Sequence, residues 1–258
     1  MLTNLRDLGG MVGAGGKKIK PNMLIRSDRL SKATDEDIKK LEAIPVTMIF
    51  DFRTPMEEEV DHDREVKGAV NLHLPVIETF NTHVTKEENP DLSTIPKVVE
   101  QMVKDETFSF RYFIEFYQQM VEFEHCRNIY KTFLEGVLAN ASKGASLWHC
   151  TQGKDRAGIG TLLVLTLLGV SEADIRKDYM KTNESTADEI EESVKQFMGM
   201  FEGLSEQPVY DFVTAREEYI DTYYEAAEKN YGGIEGFIRN GLGLDDEFIA
   251  KFRNTFLE

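Results

Sequence analysis

A cysteine and an arginine six positions apart form the part of this sequence best suited to chemistry. They lie in the segment HCTQGKDRAG at positions 149–158, where Cys150 begins a loop and Arg156 closes it. Gly153 and Gly158 allow the backbone to bend and to approach a ligand closely. A buried strand is predicted before the loop and a helix after it. Because the N–H groups at a helix start carry partial positive charge, this position favours anion binding.

Each residue type in the loop suits phosphoryl transfer. A thiolate is a strong nucleophile, and a helix N-terminus with a nearby cation lowers the pKa of a thiol. Loop amides and the planar guanidinium of Arg156 match the oxygens of a phosphate dianion. The leaving oxygen needs a proton, which the carboxyl group of Asp155 can supply. The loop therefore fits a phosphatase that works through Cys150.

The other cysteine has no such setting. Thr132 stands six positions after Cys126 and no glycine loop follows, so we interpret Cys126 as a helix-packing residue. Two cysteines exclude a disulfide scaffold and a four-cysteine zinc site, and such sparse use suits a reducing compartment. The opening segment, MLTNLRDLGG, contains no apolar signal core. We therefore expect a cytoplasmic protein. Export by a route that needs no signal peptide stays open.

The elements that must position the loop alternate along the chain. Thr34 and Ser171 have the form of helix-capping residues. Such alternation of strand and helix predicts an α/β fold with a central, mostly parallel sheet flanked by helices. Apolar and β-branched runs place the strands at residues 23–26, 46–50, 69–74 and 145–149.

The second half of the chain is largely helical in pattern. Residues 171–258 are acidic and periodic, and we expect their helices to pack on the rest, so that residues 1–258 form one phosphatase domain. Residues 95–141 show helical spacing with many aromatic side chains, for which core packing is the favoured interpretation. Part of that stretch, residues 95–127, could instead form a mobile cover over a site.

The chain is acidic, with 46 acidic against 30 basic side chains and a formal charge of −16 over 258 residues. This charge argues against a nucleic-acid binder and against broad docking on an anionic membrane. The longest apolar run, residues 159–170, is too short to span a bilayer. A phosphorylated substrate must then be attracted by a local pocket. We expect Arg6, Arg26 and Arg53 to surround Cys150, and the acids to concentrate on the far, C-terminal side.

Several segments in a fixed order give the chain a family resemblance. HCTQGKDRAG resembles the signature loop of the cysteine-dependent protein tyrosine phosphatase superfamily, and is most similar to that of bacterial tyrosine and phosphoinositide phosphatases with an HCxxGKDR loop. Further motifs of that group are resembled by NLRDLGG (4–10), LIRSDRLS (24–31), DFRTPMEE (51–58) and NYGGIEGFIRNGLGL (230–244). The resemblance implies a phosphatase-like α/β fold and an enzyme that needs neither a metal nor another cofactor.

The resemblance also implies a role for each loop residue. Cys150 would be the nucleophile that forms a cysteinyl-phosphate, and Arg156 would bind the phosphate. Asp155 would act as the general acid and then as the base that activates water. Lys154 would add positive charge for further phosphates, and His149 would tune the thiolate. The remaining substrate-binding positions, which would hold a phosphate ion in the loop, are Thr151, Gln152, Gly153, Ala157 and Gly158.

Two departures from the family pattern bear on these roles. Ala157 stands where the family usually has Ser or Thr, whose hydroxyl stabilises the departing cysteine. Hydrolysis of the phosphoenzyme would then be slower, unless Thr161 or a water molecule substitutes. The single tryptophan, Trp148, does not lie in the separate Trp-Pro-Asp loop that carries the acid in common tyrosine phosphatases. That absence supports Asp155 as the acid.

Residues outside the loop are expected to support it. Arg53 follows a buried strand at its C-terminal end, where open α/β sheets place their sites, so we predict that it binds substrate or lies directly behind the site. Arg26 is expected to support the loop. Asp51 and Asp7 are further supporting residues and the alternatives to Asp155 as the acid. The alternative role for Asp155 is an ion pair with Arg26 or Arg53.

We therefore predict a phosphatase that hydrolyses phosphate monoesters, with protein phosphotyrosine as the favoured substrate and phosphoserine or phosphothreonine as further ones. A phosphoinositide phosphatase and a non-catalytic module that binds phosphorylated ligands are the alternatives, and Ala157 is the support for the second. A sulfurtransferase or an arsenate reductase also stays open. The reductase would need Cys126 as its resolving cysteine.

Overall fold

The computed structural model describes residues 1–78 and 95–258, and within them five strands form one sheet. The strands are β1 (Arg6–Asp7), β2 (Leu24–Ser27), β3 (Val46–Asp51), β4 (Val70–His73) and β5 (Ala145–His149). Their order across the sheet is β1-β2-β5-β3-β4. β1 is antiparallel to β2, whereas the other neighbouring strands are parallel.

Side chains that alternate along the strands fill a core on each face of the sheet. In β2, Leu24 packs into the larger core and Ile25 into the smaller one. In β5, Leu147 packs into the smaller core and Trp148 into the larger one. Burial on both faces explains the apolar runs that predicted these strands. The predicted α/β fold with a mostly parallel sheet is confirmed.

Helices from different parts of the chain close the two cores. The first helix contributes to the smaller core, and helices from the second half of the chain contribute to the larger one. The helices are α1 (Asp35–Ala43), α2 (Pro55–Val60), α3 (Ile95–Lys104), α4 (Phe108–Glu122), α5 (Glu124–Asn140), α6 (Arg156–Leu167), α7 (Glu172–Ser185), α8 (Ala187–Met200), α9 (Glu206–Val213), α10 (Glu217–Tyr231), α11 (Ile234–Gly236) and α12 (Asp246–Phe256).

Local signals set several helix boundaries. Thr54 and Glu57 form a reciprocal capping box at the start of α2. Ser171 caps α7 by accepting a hydrogen bond from the amide of Asp174. α10 ends at Tyr231, and the next residue, Gly232, has a φ of +71° in the left-handed region that glycine adopts without strain. The cap at Ser171 confirms the prediction from the sequence, which is possible because a cap depends on neighbours in the chain.

The observed strands agree with the predicted ones to within one residue at each end, and the helical pattern after residue 95 forms α3, α4 and α5. The sequence did not indicate β1, because two residues are too few to show an alternating pattern. Only its antiparallel register with β2, in which Arg6 faces Arg26, identifies it. The cover suggested for residues 95–127 stays a prediction.

The C-terminal helices share the larger core with the sheet. Phe252 and Phe256 of α12 are buried there together with Phe237. Arg253 donates a hydrogen bond to the carbonyl of Leu167 at the end of α6. Among the described residues, no helix combines the length and apolar character needed to cross a membrane.

Candidate active site

The loop between β5 and α6 lies at the C-terminal edge of the sheet. β5 ends at His149 and α6 begins at Arg156. Because β2 and β3 flank β5 in parallel, their C-terminal ends meet beside this loop, where open α/β sheets place their sites. Cys150 is 2% exposed, so the thiol lies below the molecular surface.

Buried side chains hold two carbonyl groups of the loop. The carbonyl oxygen of Gln152 accepts a hydrogen bond from Nδ2 of Asn4 at 2.9 Å. The carbonyl oxygen of Gly153 accepts one from Nη2 of Arg26 at 2.5 Å. Both donors belong to elements that precede the loop by more than a hundred residues, so the loop conformation depends on the assembled fold.

The N–H groups of the same loop have a different environment. The carbonyls of Thr151 and Asp155 also accept hydrogen bonds, from backbone amides at 3.3 and 2.8 Å. By contrast, no acceptor within residues 1–78 and 95–258 binds the backbone N–H groups of residues 151–155. Consecutive amides without a protein acceptor, at the start of a helix, form a surface that can bind an anion.

One carboxylate in α7 fixes the side chains behind the loop. Asp178 binds Nη1 of Arg26 at 2.6 Å and Nε of Arg6 at 2.7 Å, and Arg6 in turn binds the side-chain oxygen of Asn4. Burial and the charge of Arg6 lower the pKa of Arg26 to about 10, and Asp178 opposes that shift. Burial alone would raise the pKa of Asp178, but the two arginines hold it below its ordinary value. Asp178 therefore supports both loop carbonyls indirectly.

A second carboxylate fixes the arginine that closes the loop. Glu57 accepts hydrogen bonds from Nη1 and Nη2 of Arg156 at 2.6 and 2.9 Å, and another from the hydroxyl of Thr151. The same carboxylate caps α2 by accepting from the amide of Thr54. Burial would raise the pKa of Glu57, but the charge and hydrogen bonds of Arg156 lower it to about 2. The guanidinium group is thereby held in one orientation beside the loop.

His149, the residue before Cys150, lies in a buried network of charges. Nε2 of His149 lies 3.0 Å from Asp63, and Nδ1 lies 3.8 Å from Asp51. Burial alone would lower the pKa of His149, but these two carboxylates raise it. One ligand atom from each of the three residues lies within 4.8 Å of the others, a spacing compatible with a metal. The guanidinium group of Arg53, however, binds both carboxylates, at 2.7 and 3.0 Å, and supplies the positive charge that a metal ion would bring.

The two residues before Arg156 point toward the helical part of the molecule. Asp155 accepts a hydrogen bond from the hydroxyl of Tyr117 at 2.8 Å. Lys154 is 1% exposed, and its ammonium group donates to the carbonyls of Phe212 and Thr214 at the end of α9. Burial lowers the pKa of Lys154, and the nearby charge of Asp155 opposes this effect.

Most of the predicted site residues meet at this place, Arg53 lies directly behind it, and Asp7 lies elsewhere. Residues 149–158 form the strand end, the loop and the first turn of α6, and Arg26 lies behind them. Arg53 is 1% exposed and bound to carboxylates, so it belongs to the supporting network and not to a substrate-facing surface. The side chain of Asp7 accepts hydrogen bonds from two backbone amides of a turn, and contacts no loop residue in the described part of the chain.

Two expectations about the loop also change. Lys154, expected to bind further phosphates, is buried and satisfied by carbonyl groups. Thr161, a candidate replacement for the hydroxyl missing at Ala157, donates to the carbonyl of Ala157 at 2.8 Å and accepts from Trp148 at 2.9 Å. Its hydroxyl is therefore already used within the core.

Acidic and basic side chains form ion pairs around the loop. Carboxylates pair with the buried cations of the site, and the expectation that the acids concentrate on the far, C-terminal side stays a prediction. The pairs are Arg156–Glu57, Arg26–Asp178, Arg53–Asp51 and Lys154–Asp155.

The sequence assigned no site role to several residues that hold this arrangement. Glu57 carried one local signal, since it stands three residues after Thr54 in the spacing of a capping box that directly follows a strand. The others carried no local signal of their contacts, which join distant positions, although Asn4 begins the segment NLRDLGG (4–10) that resembles a family motif. They are Asn4, Asp63, Tyr117 and Asp178.

Comparison with known proteins agrees with this geometry. The sequence profile described as the tyrosine phosphatase family matches residues 1–258. The chain is 26% identical over 257 residues to a protein of Cupriavidus necator whose name assigns it provisionally to the tyrosine-protein phosphatases, covering 99% of this chain and 86% of that protein. It is 23% identical to the triple specificity protein phosphatase PtpB of Mycobacterium tuberculosis, covering 98% of this chain and 96% of that protein.

We predict that Gly153→Ala lowers the free energy of unfolding by more than the strain of an alanine in the left-handed region accounts for. Gly153 has a φ of +69°, and a Cβ atom there would lie 2.4 Å from the carbonyl oxygen of Ser27. Gly232→Ala is the matched control, because its φ is +71° and nothing lies within 4 Å of the added atom. The control should lose about 1–2 kcal/mol of unfolding free energy in urea, and Gly153→Ala should lose more. Equal losses would show that the loop has room for a side chain.

We predict that Glu57 stabilises the fold in a pH-dependent way. Its pKa is lowered to about 2 in the folded protein, so its contribution is complete above its ordinary value near 4.5 and is lost as the pH falls through about 2. A shift of this size corresponds to about 3 kcal/mol. The loss of unfolding free energy in Glu57→Gln should therefore be largest at pH 7 and shrink at pH 3.

Urea titrations at the two pH values test this prediction, with Glu59→Gln as the control from the exposed side of the same helix. The control should change little at either pH. A Glu57→Gln loss that does not depend on pH would contradict the assigned ion pair with Arg156.

Proposed function

The chain belongs to the tyrosine phosphatase family and is a phosphatase, and we propose that it hydrolyses phosphate monoesters through a cysteinyl-phosphate on Cys150. One observation carries this proposal. The thiol is buried at the start of a loop whose carbonyls are bound by the protein, while the amides of residues 151–155 donate to no described acceptor. Those amides and the oriented guanidinium of Arg156 are suited to the equatorial oxygens of a phosphoryl group.

In the first step, the sulfur of Cys150 attacks phosphorus. The P–S bond forms as the bond from phosphorus to the leaving oxygen breaks. Asp155, at the N-terminus of α6, gives its proton to that oxygen and becomes a carboxylate. Arg156 and the loop amides stabilise the charge that the phosphoryl oxygens carry in the transition state.

In the second step, a water molecule attacks phosphorus and the P–S bond breaks. Asp155 takes a proton from the water, inorganic phosphate leaves, and the thiolate is restored. Ala157 offers no hydroxyl to the departing sulfur, and the hydroxyl of Thr161 is bound to Ala157 and Trp148. The second step is therefore the one that limits turnover of good substrates.

Protein phosphotyrosine is the substrate that we propose first. The depth of the thiol suits an aryl phosphate, whose ring can carry the phosphate below the surface. Burial of Lys154 weakens the case for a specialised phosphoinositide enzyme, because that ammonium group is bound to carbonyls in the interior. A relative named a triple specificity phosphatase supports activity on more than one class of phosphate ester.

We predict that Cys150→Ser loses more than about 10³-fold in the rate of phosphate release from p-nitrophenyl phosphate and from a phosphotyrosine peptide, without added metal. Cys126→Ser is the control, since the Cys126 sulfur is buried against the carbonyl of Val76. It should keep near wild-type activity, which would also exclude its use as a resolving cysteine. Full activity in Cys150→Ser would overturn the mechanism.

The same assay ranks the substrate classes. Phosphotyrosine, phosphoserine and phosphothreonine peptides are compared with phosphatidylinositol phosphates in mixed micelles, at matched concentrations. Highest kcat/KM on phosphotyrosine supports the proposed substrate. Highest kcat/KM on a phosphoinositide would reassign the substrate and leave the chemistry of Cys150 intact.

We predict that Asp155→Asn loses activity in proportion to how much the leaving oxygen needs a proton. A general acid contributes about 10²–10⁴-fold when the leaving group is poor. Loss on phenyl phosphate should therefore exceed loss on p-nitrophenyl phosphate by at least about tenfold. Equal small losses on both substrates would assign Asp155 to an ion pair and leave the acid to another residue.

A further inference from the structure

Two buried tyrosines form a hydrogen-bonded chain that ends on Asp155. Tyr117 of α4 is 0% exposed, and its hydroxyl donates to Oδ1 of Asp155 at 2.8 Å. The hydroxyl oxygens of Tyr117 and Tyr179 are also 2.8 Å apart, and Tyr179 lies in α7. Helices from two distant parts of the chain therefore meet at the carboxyl group of the proposed acid.

The direction of this chain follows from counting protons. Oδ1 of Asp155 accepts whether the carboxyl group is charged or carries its proton on the other oxygen, so Tyr117 uses its single proton on Asp155. The oxygen of Tyr117 must then accept the proton of Tyr179. Burial, and next the charge of Asp155, raise the pKa of Tyr117 well above its ordinary value, so the phenol stays a donor throughout the working pH range.

The chain distinguishes the two oxygens of Asp155. Oδ1 accepts from Tyr117 and lies 3.7 Å from the ammonium group of Lys154. Among residues 1–78 and 95–258, no donor is bound to Oδ2. Anchoring one oxygen fixes the plane of the carboxyl group, and the other oxygen is then the one that can carry a proton to the leaving group.

We propose that Tyr117 is a positioning residue for the general acid, with Tyr179 orienting the Tyr117 hydroxyl; this rests on the role of Asp155 proposed above. As Asp155 gives up its proton it becomes charged, and a hydrogen bond to a charged acceptor is stronger than one to a neutral acceptor. Tyr117 therefore stabilises the product of proton donation more than its reactant. Its effect should grow as the leaving group becomes poorer.

Tyr117→Phe tests this proposal, because phenylalanine keeps the ring packing against Phe116 and Tyr219 and removes only the hydroxyl. The control is Tyr223→Phe in α10, a buried tyrosine whose hydroxyl has no partner among the described residues. Values of kcat/KM are measured for aryl phosphates whose leaving phenols increase in pKa. Tyr117→Phe should lose about tenfold on the poorest leaving group and little on p-nitrophenyl phosphate, which is a steeper leaving-group dependence. Tyr223→Phe should leave the dependence unchanged.

A double-mutant cycle with Asp155→Asn separates this inference from the function on which it rests. If Tyr117 acts through the acid, Tyr117→Phe should cost little more once Asp155 is Asn. A steeper dependence in Asp155→Asn but not in Tyr117→Phe would overturn the positioning role and leave the general acid in place. An unchanged dependence in Asp155→Asn would overturn the acid assignment itself. Equal losses from Tyr117→Phe on all substrates and in both backgrounds would show a purely structural hydroxyl.

Tyr179→Phe provides a second variant in case Tyr117→Phe does not fold. It keeps the hydrogen bond to Asp155 and removes only the donor behind it. A smaller increase in leaving-group dependence, in the same direction as for Asp155→Asn, supports the proposal. No change in that dependence, in a variant with wild-type thermal stability, would exclude the hydrogen-bonded tyrosine pair from catalysis.

Discussion

A loop that binds an anion through its peptide N–H groups must turn the carbonyl oxygens of the same peptides away from that anion. Each buried carbonyl then needs a donor of its own on the opposite side. In this protein the donors for Gln152 and Gly153 are the side chains of Asn4 and Arg26. A buried guanidinium in turn needs a carboxylate, which Asp178 supplies from α7. A loop of this kind thus requires a second layer of charges, and the strands and helices of this protein supply one.

This requirement also explains how an acidic chain can attract an anion. Arg156 and Arg26 are each matched by a carboxylate, so their charges are largely balanced in place. The positive potential inside the loop comes chiefly from backbone amides and the start of α6, which carry no formal charge. A net charge of −16 therefore does not oppose the site directly. The net charge repels an anion as it approaches from a distance. Salt at 0.1 M ionic strength screens this repulsion beyond about 10 Å.

The sequence indicates those parts of the structure whose causes are local. Strands such as β3 (Val46–Asp51) show apolar runs because both faces of the sheet are buried, and the loop shows its spacing of cysteine, glycine and arginine. The layer behind the loop leaves no such local pattern, although Asn4, Arg26 and Arg53 stand in segments that resemble family motifs. Arg53 follows a strand in the way a substrate-binding arginine would, and only the fold shows that Asp51 and Asp63 enclose it. The sequence predicts Tyr117 to be one more aromatic residue of the core, because the partner of its hydroxyl lies 38 positions away.

The helical C-terminal part contributes to the site even though it supplies no residue of the loop. α7 provides Asp178, which reaches a loop carbonyl through Arg26, and Tyr179, which reaches Asp155 through Tyr117. The last carbonyls of α9 bind the ammonium group of Lys154, at the helix end that favours a cation. Removing either helix would leave buried charges of the loop without partners, and breaking a buried pair in this way costs about 3–5 kcal/mol. The stability of the fold and the geometry of the site therefore depend on the same contacts, which is why residues from nearly the whole chain are needed to hold one short loop.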